Sequence, residues 1–185
     1  MKHSLVVVSG PSGVGKGTIV KTLVKRREDV VESVSCTTRA PREGERHGRE
    51  YFFLSKEEFL KRVDEGDFLE YDEHFGNYYG TPKSFVKEML ESKSVILEID
   101  VVGALNAKNA FPDCKLLMIV PPSLEELKRR LIGRNSETEE EIEKRLSRLE
   151  YELSKKDEYD FVIVNDDLEE AIKALSDIVD INANA

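Results

Sequence analysis

The stretch Gly10-Pro11-Ser12-Gly13-Val14-Gly15-Lys16-Gly17-Thr18 follows a short apolar run and opens a helical pattern, the setting a phosphate-binding loop requires. Glycines let successive backbone N–H groups turn inward and form an anion-binding nest at the positive end of a helix dipole. Lys16 would then reach the β- and γ-phosphates of a nucleoside triphosphate and offset charge as a phosphoryl group moves. Gly17 stands where the strict motif has Ser or Thr, and Thr18 comes one position later. Thr18 is therefore the candidate magnesium-side hydroxyl, with a hydroxyl that has no such task as the alternative. The glycines, the lysine and the flanks together weigh against a turn that binds nothing.

A second set of residues could hold a phosphorylated acceptor. Arg39 and Arg42 lie three apart beside Pro41, a pairing suited to bidentate capture of a phosphate monoester, although such a loop taken alone is more often solvated surface. Tyr78 and Tyr79 point to opposite sides of an extended segment, so one faces a ligand and the other plugs a small core. Asp100 closes the apolar run 95–99 at the end where open α/β sheets place ligands, with a helix N-cap as its alternative. Glu98, two residues earlier, shares its side. Arg130, Arg134, Arg145 and Arg148 surround a polar turn at 133–141. Arg145 falls about 60° from Ile142, on the border of the apolar stripe that Ile142, Leu146, Leu149 and Leu153 form. Arg148 lies farther round and reads as a solvated i+4 partner of Glu152.

Positioning these groups falls to four buried strands at 5–9, 95–99, 116–120 and 161–164, each followed by a helical pattern, at 15–27, 101–110, 123–132 and 167–180. That alternation implies an α/β three-layer sandwich around a central parallel sheet. Two regions interrupt it. From 34 to 82 the chain is rich in Arg, Gly, Tyr and Phe, with strand-like pieces at 50–54 and 68–73 around a helix near 56–65, and reads as an inserted lobe. The turn at 133–141 has the composition of a lid. The expected division is a core of 1–33, 83–132 and 158–185, a lobe of 34–82, and a lid with its following helix at 133–157.

In order along the chain, the phosphate loop, Ser35-Cys36-Thr37-Thr38-Arg39-Ala40-Pro41-Arg42, Phe68-Leu69-Glu70-Tyr71, Gly76-Asn77-Tyr78-Tyr79-Gly80-Thr81 and Ile99-Asp100 closely resemble guanylate kinase, and the similarity extends over essentially the whole chain. The resemblance implies that Arg39, Arg42, Tyr51 and Tyr79 hold the phosphate of GMP, and that Ser35, Glu70, Thr81 and Asp100 address the guanine or its surroundings. It implies that Arg130, Arg134 and Arg145 close over the triphosphate of ATP, with Mg²⁺ as cofactor. It also implies that Asn165 touches the adenine, with a turn residue as the alternative. The base chemistry agrees. Guanine offers N1–H and N2–H₂ on one edge, so a fixed carboxylate such as Glu70 accepts both, whereas adenine presents a lone pair at N1. A site built on such hydrogen bonds rejects the analogue lacking them by on the order of 10⁴-fold. A scaffold module of the same fold without catalysis would have lost loop or lid residues that stand here, and a sugar-phosphate kinase would have no use for Glu70, Tyr79 and Thr81 together.

Composition narrows the partners. The 185 residues carry 28 Lys+Arg against 37 Asp+Glu, a net charge of -9, which argues against nucleic acid, whose binding is driven by counterion release. No apolar stretch approaches the roughly 18 residues of a membrane span. Cys36 and Cys114 have no metal or redox spacing and read as reduced thiols of a cytoplasmic protein. The sequence leaves the oligomeric state open, a homo-oligomer included.

Overall fold

A computed structural model of the chain describes residues 3–74, 76–123, 125 and 139–181, with side chains in the helix 139–154 from Ser147 onward. The main sheet is made of β1 (Leu5–Ser9), β2 (Val30–Glu32), β7 (Ser94–Glu98), β8 (Lys115–Val120) and β9 (Phe161–Val164), in the order β2-β7-β1-β8-β9. Every pairing in it is parallel. The strand runs are apolar on both faces because both faces are covered. On one, Val6, Val8, Ile96 and Ile119 pack against α1 (Lys16–Arg26) and α6 (Leu168–Asp180) through Ile19, Leu23, Ile172 and Leu175. On the other, Val7, Leu97, Leu116 and Met118 meet α3 (Lys83–Leu90) and α4 (Val101–Ala110) through Val86, Ala104 and Ala107.

A second sheet lies between β2 and α3 in the chain. Its strands β3 (Cys36–Thr37), β4 (Phe52–Phe53), β5 (Phe68–His74) and β6 (Asn77–Pro82) run in the order β4-β3-β6-β5. The helix α2 (Lys56–Asp64) starts at a capping box, in which Ser55 Oγ accepts from the Glu58 N–H and Glu58 Oε2 accepts from the Ser55 N–H. This unit has its own small core. Phe59 stacks on Phe68 at 4.4 Å and on Tyr78 at 5.4 Å between ring centroids.

Four elements depart from the sequence expectation. The edge strand β2 is only three residues long and ends in Glu32, too short for a periodicity to register, and α3 went unrecognised for the same reason at eight residues. The strand expected at 95–99 runs instead from Ser94 to Glu98, and the piece expected at 50–54 shrinks to Phe52–Phe53. The helix expected at 123–132 and the turn at 133–141 lie almost wholly outside the described residues. The helix α5 (Glu139–Ser154) follows them.

Candidate active site

The phosphate loop leaves the carboxyl end of β1. Gly10 has φ 136°, and a Cβ there would stand 2.1 Å from the Ile119 carbonyl oxygen, so the loop passes β8 at a distance only glycine allows. Gly15 has φ 100° and caps α1 with no side chain, leaving the helix N-terminus open to an anion. A Cβ on Gly15 would lie 2.7 Å from Asn165 Nδ2. Buried Val14 anchors the loop, while Pro11 is buried and Ser12 and Gly13 form its exposed tip. Lys16 donates its ammonium to the carbonyls of Gly10 and Pro11. Burial holds its pKa below the ordinary lysine value although Glu98, Glu152 and Asp100 pull the other way. Thr18 is exposed on the first turn of α1.

Asn165 has a position neither sequence alternative anticipated. It is buried after β9 and donates Nδ2 to the Val14 carbonyl at 2.7 Å, so it clamps the phosphate loop from across the sheet.

Two clefts meet at the carboxyl edge of the sheet. One, of about 480 Å³, is lined by Gly10, Ser12 and Lys16. The other, of about 310 Å³, is lined by Ser35, Tyr51, Glu70, Asp72, Tyr79 and Gly80 from the second sheet. They share one wall: Glu98, Ile99, Asp100 and Arg148.

Behind the lining of the second cleft, Thr81 is fully buried and donates its hydroxyl to Glu70 Oε1 at 2.6 Å. Thr81 thus acts through Glu70. Burial raises the Glu70 pKa, the Thr81 hydrogen bond opposes that rise, and Asp100 and Asp72 add to it. At the other end, Arg39 grips both oxygens of Glu45, at 2.9 and 3.0 Å, and donates to the Ala40 carbonyl. Glu45 also accepts the Arg42 N–H at 2.7 Å, and the Arg39 fork holds its carboxyl below the usual range. The Arg39 guanidinium lies 5.6 Å from the Tyr51 ring centre, and Tyr51 meets Tyr79 edge-on at 6.0 Å. Tyr79 faces this cleft while Tyr78 joins the aromatic core, the alternation an extended segment enforces. The Arg42 side chain is exposed.

Asp100 serves as cap and cleft wall together. Its Oδ1 accepts the Gly103 N–H at 2.8 Å, and its Oδ2 accepts from Arg148 Nη2 at 3.0 Å. Glu98 sits over the first turn of α1, where a Cβ on Gly17 would lie 3.4 Å from its Oε2. Among the described residues no cluster of three or more His, Cys, Asp or Glu side chains could hold a metal by itself. Arg130 and Arg134 lie outside the described residues, as does the side chain of Arg145.

A family model for guanylate kinase matches residues 2–182. The chain belongs to the guanylate kinase family. A guanylate kinase of Clostridium perfringens is 51% identical over 176 residues, covering 95% of this chain and 82% of its own. One from Clostridioides difficile is 47% identical, over 99% of this chain and 90% of its own. The crystal structure of guanylate kinase from Anaplasma phagocytophilum superposes with a TM-score of 0.71 at 34% identity, over 96% of this chain and 85% of that one.

Within this guanylate kinase family site, sequence reasoning passed over two residues, Glu45 and Asp72. Glu45 lies six positions beyond Arg39 and carried no motif. Asp72 sits two residues past Glu70 on one strand, and that period would have placed it on the same face. Arg148 and Glu152 do form the expected i+4 pair, solvated at its arginine end, where the side chain is 57% exposed, but not at its carboxylate end. Glu152 is 6% exposed, burial raises its pKa, and Arg148 reaches past it to Asp100. The helical period gives the pair; only the approach of α5 to the sheet edge supplies the third partner.

Proposed function

We propose that this chain transfers the γ-phosphoryl group of Mg-ATP to GMP, giving ADP and GDP, in the cytoplasm and as part of purine nucleotide metabolism. The observation that carries the reading is the shared wall: a lysine-bearing phosphate loop and a cleft lined by a half-buried carboxylate open onto one another. The loop and Lys16 take the triphosphate of ATP, joined by Arg130 and Arg134, with Asn165 on the adenine side. Arg39, Arg42, Tyr51 and Tyr79 take the acceptor phosphate. Glu70, oriented by Thr81, accepts N1–H and N2–H₂ of guanine, with Ser35 and Asp100 beside it.

A phosphate oxygen of GMP attacks the γ-phosphorus, and the bond from that phosphorus to the β–γ bridging oxygen breaks, leaving its electron pair on ADP. The acceptor oxygen is already anionic, so no general base is required. Catalysis then consists of positioning and of cations placed against the charge on the moving group, Lys16 and Arg145 among them. Magnesium is commonly held by one or two carboxylates with substrate phosphates and water. Glu98, standing over Gly17 where the strict motif has a hydroxyl, fits that need, with Thr18 the neighbouring hydroxyl. Held there, the ion would supply charge neutralisation on the phosphates.

The test is ADP release from Mg-ATP with GMP, AMP, UMP, CMP or no acceptor, beside Lys16→Met. Turnover with GMP alone, lost in Lys16→Met while the fold is retained, is the expected result. Turnover preferring another acceptor overturns the guanine reading, and GMP binding without ADP overturns the kinase.

A further inference from the structure

We propose that Arg148 is a further catalytic residue, placing its guanidinium on the phosphoryl group as that group passes between the two clefts; this rests on the phosphotransfer reading above. Of the four residues the clefts share, Arg148 is the one cation, and Glu98 and Asp100 beside it are acidic. A phosphoryl group crossing that wall meets two carboxylates that repel it, so an opposing charge is needed at this point.

Arg148 meets the requirement of a preorganised donor. Its Nε donates to Glu152 Oε1 at 3.0 Å and its Nη2 to Asp100 Oδ2 at 3.0 Å. Both anchors are themselves fixed, Glu152 by burial and Asp100 by capping α4. Among the described residues the two hydrogen bonds leave Nη1 without a partner, and a planar fork with donors to spare matches a phosphoryl oxygen pair as a lysine would not. Lys16 also feels the Arg148 charge, which places both cations on one electrostatic site. The Arg148 side chain is 57% exposed, so it stays open to a ligand while its two anchors hold it.

The experiment compares wild type, Arg148→Ala and Arg148→Lys for turnover at saturating ATP and GMP, for GMP and ATP affinity by calorimetry, and for Tm. Loss of a charge-stabilising donor should lower kcat about 100- to 1,000-fold in Arg148→Ala. Both affinities should change far less than kcat, and free guanidinium at millimolar concentration should restore part of the rate. Arg148→Lys keeps the charge without the fork and should fall between; it decides the matter if Arg148→Ala does not fold. Turnover like wild type in the folded variants, or a loss matched by weakened GMP binding, overturns the proposal. Wild type that makes no ADP with GMP overturns the underlying reaction instead, and the proposal with it.

Discussion

The hydroxyl of fully buried Thr81 donates to Glu70 Oε1 at 2.6 Å, so the carboxylate lining the acceptor cleft has one oxygen committed. Thr81→Val keeps the shape and removes the donor. GMP KM should rise about tenfold, the scale of one lost hydrogen bond to a charged group, while ATP KM holds. Initial rates with each substrate varied in turn check this.

The same contact sets a pH dependence. Burial raises the Glu70 pKa and Thr81 lowers it, and guanine binding needs the ionised form. kcat/KM for GMP should therefore fall as pH drops, beginning above the ordinary carboxylate range. In Thr81→Val, with the lowering contact gone, the limb should move to still higher pH. A limb at the same pH in both proteins would contradict the pairing.

Glu70→Gln should trade activity for stability. A group whose folded pKa is raised binds protons more tightly when folded, so its contribution to stability is full below the unfolded pKa and lost as pH rises through the folded one. Removing the charge should raise Tm at pH 8, with little change at pH 4. The preference for GMP over AMP should collapse in the same variant. Thermal melts at the two pH values and the acceptor panel read both effects.

Gly15→Ala should damage the ATP side alone. The new Cβ would lie 2.7 Å from Asn165 Nδ2 and the residue would hold a φ of 100°. The backbone strain costs on the order of 1–3 kcal/mol, and ATP KM should rise well over tenfold with GMP affinity unchanged by calorimetry. Adding Asn165→Ala removes the clash and leaves the strain, so it should not restore the loop.

Stability separates from activity at Lys115. It is buried at the start of β8 and donates to Ser4 Oγ and the Ile178 carbonyl, both at 2.9 Å, and to the Ile181 carbonyl, closing the end of α6. Lys115→Met removes the buried donor shared by these oxygens and should cost about 1–3 kcal/mol, lowering Tm by roughly 3–10 °C. The kcat at 25 °C should not change.

The sequence alone was enough for what depends on neighbours along the chain. Leu5–Ser9 and Phe161–Val164 are short runs of apolar, largely β-branched residues and form strands where they stand. The glycines and lysine at 10–16 carry their loop geometry within themselves, and the alternation of Tyr78 and Tyr79 follows from an extended backbone. Asp100 caps its helix through local geometry.

Tertiary structure decided everything that depends on which segments meet. Glu45 becomes the partner of Arg39 because a turn folds it back, and Thr81 becomes the support of Glu70 because β5 and β6 pair in that register. Asn165 clamps Val14 from 151 positions away, and Arg148 bridges to Asp100 across 48. A residue's local pattern records the face it presents, but its partner is set by sheet order and helix docking, for which no spacing along the chain provides a signal.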